Sequence, residues 1–201
     1  MTSYQMGYRK ERDDRAARLL SHLLSPAVVA LAVFGSLTTW HGWGQYWTCG
    51  LVGIGFYALV PGLTLALLKW RGGIMGDVYD PPPKVRERIL LAGAACYVVG
   101  FGSLTLSAAP PVMLWGGATF LGGALVVWLV DRRWKISIHA SGVSGGGIIL
   151  LTTGGGELWP ILAAVPLVGW ARLRLRAHTP AQVGAGMAMG AFLAALLRPL
   201  F

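Results

Sequence analysis

Seven long apolar stretches, roughly 23–40, 46–68, 89–107, 110–130, 139–156, 157–171 and 182–200, leave this chain few ways to fold. A backbone placed in hydrocarbon has to satisfy its N–H and C=O groups internally, so each stretch predicts a helix. Only 12% of the residues are charged while 55% are hydrophobic, so the solvent for most of the chain is lipid. The expectation is an all-α protein, a polytopic transmembrane helical bundle with about six to seven membrane helices. The sixth stretch is short at 1.5 Å per residue and has to tilt, re-enter or extend into the interface. A basic interfacial segment over residues 1–22 precedes the transmembrane domain, 23–201. Within it, residues 8–22 predict an interfacial helix, with Glu11–Arg15 and Asp14–Arg18 at i,i+4 spacing, that anchors and orients the chain. The N-terminus is polar and charged, unlike a cleavable signal peptide, so the first span is expected to direct insertion.

The loops alternate in character. His41 to Gln45, Ser107 to Pro111 and Gly154 to Glu157 are tight and poor in charge, whereas the other connections are basic. Seven spans put sixteen of the seventeen Lys and Arg residues on one side and Arg198 alone on the other. The positive-inside rule makes the basic side cytoplasmic in an integral, multi-pass membrane protein. The net charge of +9 sits in short clusters flanking apolar spans, the pattern of lipid anchors and anion contacts, so membrane lipids are expected partners and nucleic acid is not. Cys49 and Cys96 fall in different spans and read as core thiols, with no metal-ligand spacing around either. Seven of the nine Trp fall near span ends, as interfacial belts do, and the 29 glycines, Gly184, Gly186 and Gly190 among them, allow close helix packing.

Three stretches converge on the basic side because two helices separate each from the next. They are 76–88, with its triple proline Pro81-Pro82-Pro83; 135–142, with Lys135, Ser137 and His139; and 172–182, with Arg172, His178 and Gln182. Ionisable residues at a membrane boundary are costly unless they are paired or used. Cations, a hydroxyl and two histidines suit phosphoryl transfer: fixed positive charge stabilises the equatorial oxygens, one His attacks phosphorus and the other protonates the leaving oxygen. No metal and no cofactor is needed for that chemistry.

At these residues the chain resembles the type-2 phosphatidic acid phosphatase superfamily of membrane lipid phosphatases. Arg172, five residues and His178 match the spacing of the family's third motif, and Ile136-Ser137-Ile138-His139 is similar to its second. The resemblance spans about 77–190 and implies His178 as nucleophile, forming a phosphohistidine, and His139 as general acid for the leaving alcohol. It implies phosphate binding by Arg172, Ser137 and Lys135, joined by Lys84 and Arg88, which stand where the first motif belongs without matching its register. Gln182 replaces the motif-three Asp that orients the nucleophile, and a neutral amide makes the histidine a poorer base. Ala171 and Ile138 likewise replace a serine and a glycine of the family patterns. Asp77, Asp80 or Glu87 could supply the missing carboxylate.

The implied substrate is a lipid phosphate or polyprenyl (di)phosphate, hydrolysed at the cytoplasmic interface. Two other classes fit less of the sequence. Asp77-x-x-Asp80 could hold Mg²⁺ in a prenyl transferase, but no second acidic motif accompanies it. A lipid-phosphate-binding protein without catalysis would explain Gln182.

Overall fold

The computed structural model describes residues 14–73 and 81–201, apart from the side chains of residues 43 and 156–159. The expected helix start at residues 8–13, Glu11 included, and the 74–80 loop with Asp77 and Asp80 lie outside the described residues. Helices make up the described chain, with no strand among the described residues. In chain order they are α1 (Asp14–Leu23), α2 (Pro26–His41), α3 (Gly44–Trp70), α4 (Pro83–Leu106), α5 (Pro111–Asp131), α6 (Ile138–Gly154), α7 (Ala164–Arg174) and α8 (Pro180–Leu197).

Every apolar stretch read from the sequence falls on helical structure. Among the described residues, α3, α4, α5 and the segment Pro180–Leu200 are long and apolar enough to cross a membrane; the pair α1 and α2, bent by 42°, makes a fifth if it is one span. Such helices are compatible with a membrane protein. The sixth stretch is not one helix: Gly156–Ala163 is a 3₁₀ turn containing Pro160, which has no N–H to donate, and the α-helix begins only at Ala164. α6 has 17 residues, short for a membrane crossing.

Proline marks the helix starts. Pro26, Pro83, Pro111 and Pro180 stand in the first turns of α2, α4, α5 and α8, where a missing N–H costs nothing. Three helices end in the same hydrogen-bonded turn, with a left-handed residue at Gly72, Ala108 and Arg176.

The core is aromatic where α2, α3, α4 and α5 meet, around Phe34, Tyr57, Tyr97 and Phe120. Here α3 widens into a π-helical stretch, Gly55–Leu59. Pro61 cannot donate to the Tyr57 carbonyl, and the Tyr97 hydroxyl donates there instead (3.4 Å) while the Tyr57 hydroxyl donates to the Tyr97 carbonyl (3.2 Å). α6 and α8 pack more closely than any other pair. A β-carbon at Gly186 would lie 2.5 Å from the Ser137 carbonyl oxygen, and one at Gly190 would collide with the Ser141 carbonyl oxygen. The backbones themselves touch, and the starts of both helices are held side by side.

Candidate functional site

Those two helix starts carry the residues that the sequence singled out. Ser137 caps α6, its Oγ accepting from the Ala140 N–H at 3.4 Å, and its own N–H donates to the Gln182 carbonyl at 3.3 Å. His139 follows in the first turn of α6. Thr179 caps α8, and Gln182 completes a capping box, its Oε1 accepting from the Thr179 N–H at 3.0 Å. His178 therefore sits one residue before a capped helix, opposite His139.

α7 brings in Arg172. The helix ends with the Ala177 N–H donating to the Arg172 carbonyl at 3.1 Å and the Arg176 N–H to the Leu173 carbonyl at 3.0 Å. Arg176 takes φ +54°, a left-handed conformation that costs a non-glycine residue about 1 kcal/mol or more. That turn folds His178 back over the end of α7. Arg172 is 0% exposed, His139 2% and His178 7%, and Ser137 is equally buried. The rings of His139 and His178 and the Arg172 guanidinium lie close enough to feel one another's charge. Sequence reasoning placed these four residues on one face, and here they share one buried cluster.

The remaining nominations divide. Lys135 is half-buried and its charge reaches His178. Lys84 and Arg88 are exposed on one face of α4, and the buried cation is Arg86, half a helical turn away from both. Arg86 grips Asp131 at the end of α5 through two hydrogen bonds, 2.7 and 2.9 Å, and donates to the Ile136 carbonyl at 3.0 Å. It thereby fixes the turn leading into Ser137 and His139, and its charge reaches both rings. The signal for Arg86 was Asp131, a carboxylate ending an apolar helix and in need of a buried cation. Glu87 does not stand in for the missing carboxylate: it faces Arg132 at 3.5 Å on the exposed surface.

A second participant came from the segment read as an anchor. α1 lays Ala17 and Ser21 against the bundle, and Ser25, four residues on at the cap of α2, continues the line; all three are buried. Ser21 Oγ accepts from Arg172 Nη1 at 3.4 Å, and the Ser21 backbone hydrogen-bonds His139. Asp14, expected to pair with Arg18 along the helix, reaches across to Arg174 at 3.1 Å. α1 thus packs over the cluster, and its stripe of small residues was the available sign.

The field around the cluster is positive. Burial pushes the His178 ring down to about 3, and Arg172, Lys135 and Arg86 push in the same direction; only the Gln182 side chain favours the protonated ring. His178 is therefore neutral at pH 7, with a lone pair available. Its buried Nδ1 has no protein hydrogen bond of ordinary geometry among the described residues. The positive ends of α6 and α8 add to the field. Among the described residues no group of three or more His, Cys, Asp or Glu is placed to hold a metal ion. No family model matches the chain, and neither the curated proteins nor the solved structures yield a match.

Proposed function

We propose that this chain is a divergent type-2 phosphatidic acid phosphatase, a membrane hydrolase that removes phosphate from a lipid phosphate or polyprenyl (di)phosphate. The observation that carries this is the burial of His139, His178, Arg172 and Ser137 in one cluster at one end of the bundle. In this scheme α6 and the 156–174 segment complete six to seven membrane passages, and the cluster faces the cytoplasm. An amphiphile keeps its tail in lipid while its phosphate meets the cluster.

The chemistry follows from the charges. Arg172 and the Ser137 hydroxyl hold the phosphate oxygens, and Lys135 adds longer-range attraction. A bound dianion offsets the charge of Arg172, Lys135 and Arg86, so one histidine can carry the proton that the leaving oxygen needs. His178 attacks phosphorus and the bond to the leaving oxygen breaks; His139, protonated in the complex, gives that oxygen its proton. Water then attacks the phosphohistidine with His139 as base, releasing inorganic phosphate and restoring His178. Arg86 and Ser21 act as positioning residues through His139 and Arg172.

One observation favours a binding protein that turns over slowly or not at all. The Gln182 side-chain oxygen Oε1 is engaged in capping α8, and no described carboxylate replaces the family's Asp beside His178. The deciding experiment measures phosphate release from phosphatidate, phosphatidylglycerophosphate and prenyl diphosphates by purified protein in EDTA. Release that persists in EDTA and is lost in His178→Ala is expected. Release that survives both His178→Ala and His139→Ala refutes the mechanism, and tight binding of the same lipids without release establishes the binding protein.

A further inference from the structure

The bundle end remote from the histidines holds an open cavity of about 360 Å³, lined by His41, Pro111, Trp115, Thr153, Arg198 and Phe201 among others. Its residues come from the last turns of α2 and α6, the start of α5 and the end of α8, whereas the histidine cluster uses the opposite ends of α6 and α8. The volume falls in the range of small-ligand sites. We propose that this cavity binds a hydroxyl-bearing phosphate, the chemistry of a glycerol-phosphate lipid headgroup, independently of the histidine site.

Each wall contributes a requirement. Arg198 is the one Lys or Arg that the order of seven spans assigns to this end. Its guanidinium lies 5.9 Å from the Trp115 ring, and it forms no ion pair among the described residues. A planar fork of donors with no described carboxylate within ion-pair distance suits a phosphate or carboxylate. The Trp115 indole is locked as a wall by its N–H donating to the Ala194 carbonyl at 2.8 Å.

The other polar groups are partly engaged. His41 Nδ1 donates to the Leu37 carbonyl at 3.0 Å, which leaves Nε2 as the ring nitrogen still to be satisfied. The Thr153 hydroxyl donates to the Ile149 carbonyl at 2.6 Å, leaving its lone pairs. A bare anion would satisfy Arg198 and meet the lone pairs of Thr153. A phosphate carrying hydroxyls satisfies both, and Trp115 and Phe201 accept the carbon skeleton of a polyol or the start of an acyl chain.

The test uses the purified full chain in phosphatidylcholine nanodiscs doped with phosphatidylglycerol or with phosphatidylmethanol, the same anion without the hydroxyls, and counts retained lipids by native mass spectrometry. One phosphatidylglycerol retained over both other lipids is expected. Arg198→Gln should weaken retention at least tenfold, Arg198→Lys should keep most of it, and Thr153→Val should narrow the preference over phosphatidylmethanol. Equal retention in Arg198→Gln overturns the proposal, as does loss through Arg172→Gln with Arg198→Gln unaffected, which would move the lipid to the histidine end. Adding sn-glycerol 3-phosphate to undoped discs separates the sources. Saturable binding abolished by Arg198→Gln assigns the same chemistry to a soluble polyol phosphate, and its absence beside phosphatidylglycerol retention assigns it to the lipid. Phosphate release by Arg198→Gln should match wild type, so failure here and failure of the hydrolase proposal are distinguishable.

Discussion

The two ends of this bundle are furnished with the same side chains and use them differently. At the histidine end, Arg172, His139 and His178 are buried and their helices are capped, with backbone touching backbone between α6 and α8. At the other end, Arg198 and His41 are exposed around an open cavity. Burial is what separates a tuned site from a wet one, because neighbouring charge acts strongly only where water is excluded. Arg172 therefore helps hold His178 neutral, whereas Arg198 is left to attract a ligand by direct contact.

The largest difference between the ends should appear in chemistry. His178→Ala is expected to lower phosphate release by about 10³-fold or more, while Arg198→Gln leaves it unchanged; an equal loss in both would erase the distinction. Next comes the buried Arg86–Asp131 pair. Arg86→Met strands a buried carboxylate and should cost about 3–5 kcal/mol in an unfolding titration, and the double variant Arg86→Met with Asp131→Leu should recover part of that loss.

Two glycines of α8 test whether backbone contact sets the site. Gly190→Ala drives a β-carbon into the Ser141 carbonyl and should cost about 1–3 kcal/mol together with phosphatase activity. Gly184→Ala meets nothing within 4 Å and should stay within about 0.5 kcal/mol of wild type. Similar losses in the two variants would place the effect in general helix behaviour.

The neutral state of His178 gives a pH signature with a definite sign. Its folded value of about 3 lies below the ordinary 6.5, so the unfolded chain takes up the proton first. Stability from this group is complete above pH 6.5 and declines as the pH falls toward 3, at about 1.4 kcal/mol per unit. The difference between wild type and His178→Phe, followed by denaturation across that window, isolates the effect; a flat difference shows that the ring charges freely. A smaller gain is expected at the exposed Arg176, where glycine removes the left-handed strain. Arg176→Gly should stabilise by about 1 kcal/mol in the same titration.

The sequence alone determined the helical class and the approximate place of each helix, because a long apolar stretch away from water has few other ways to meet its backbone hydrogen bonds. It also brought Ser137, His139, Arg172 and His178 to one face, since helix order decides which loops share an end. It did not reveal that the sixth stretch breaks into a 3₁₀ turn and a short helix, although Pro160 was visible within it. Which cation of α4 turns inward was decided by tertiary structure: Lys84, Arg86 and Arg88 are alike in type, and only the position of Asp131 selects Arg86. The fate of Gln182 was hidden for the same reason, since its side chain divides its capacity between the cap of its own helix and the neighbouring His178. Apolar length locates the helices, whereas hydrogen-bond partners between distant segments depend on how helices rotate about their axes. That rotation is set by packing, here by glycines and small residues at α1, α6 and α8, and it is what carried Ser21 from an anchor into the cluster.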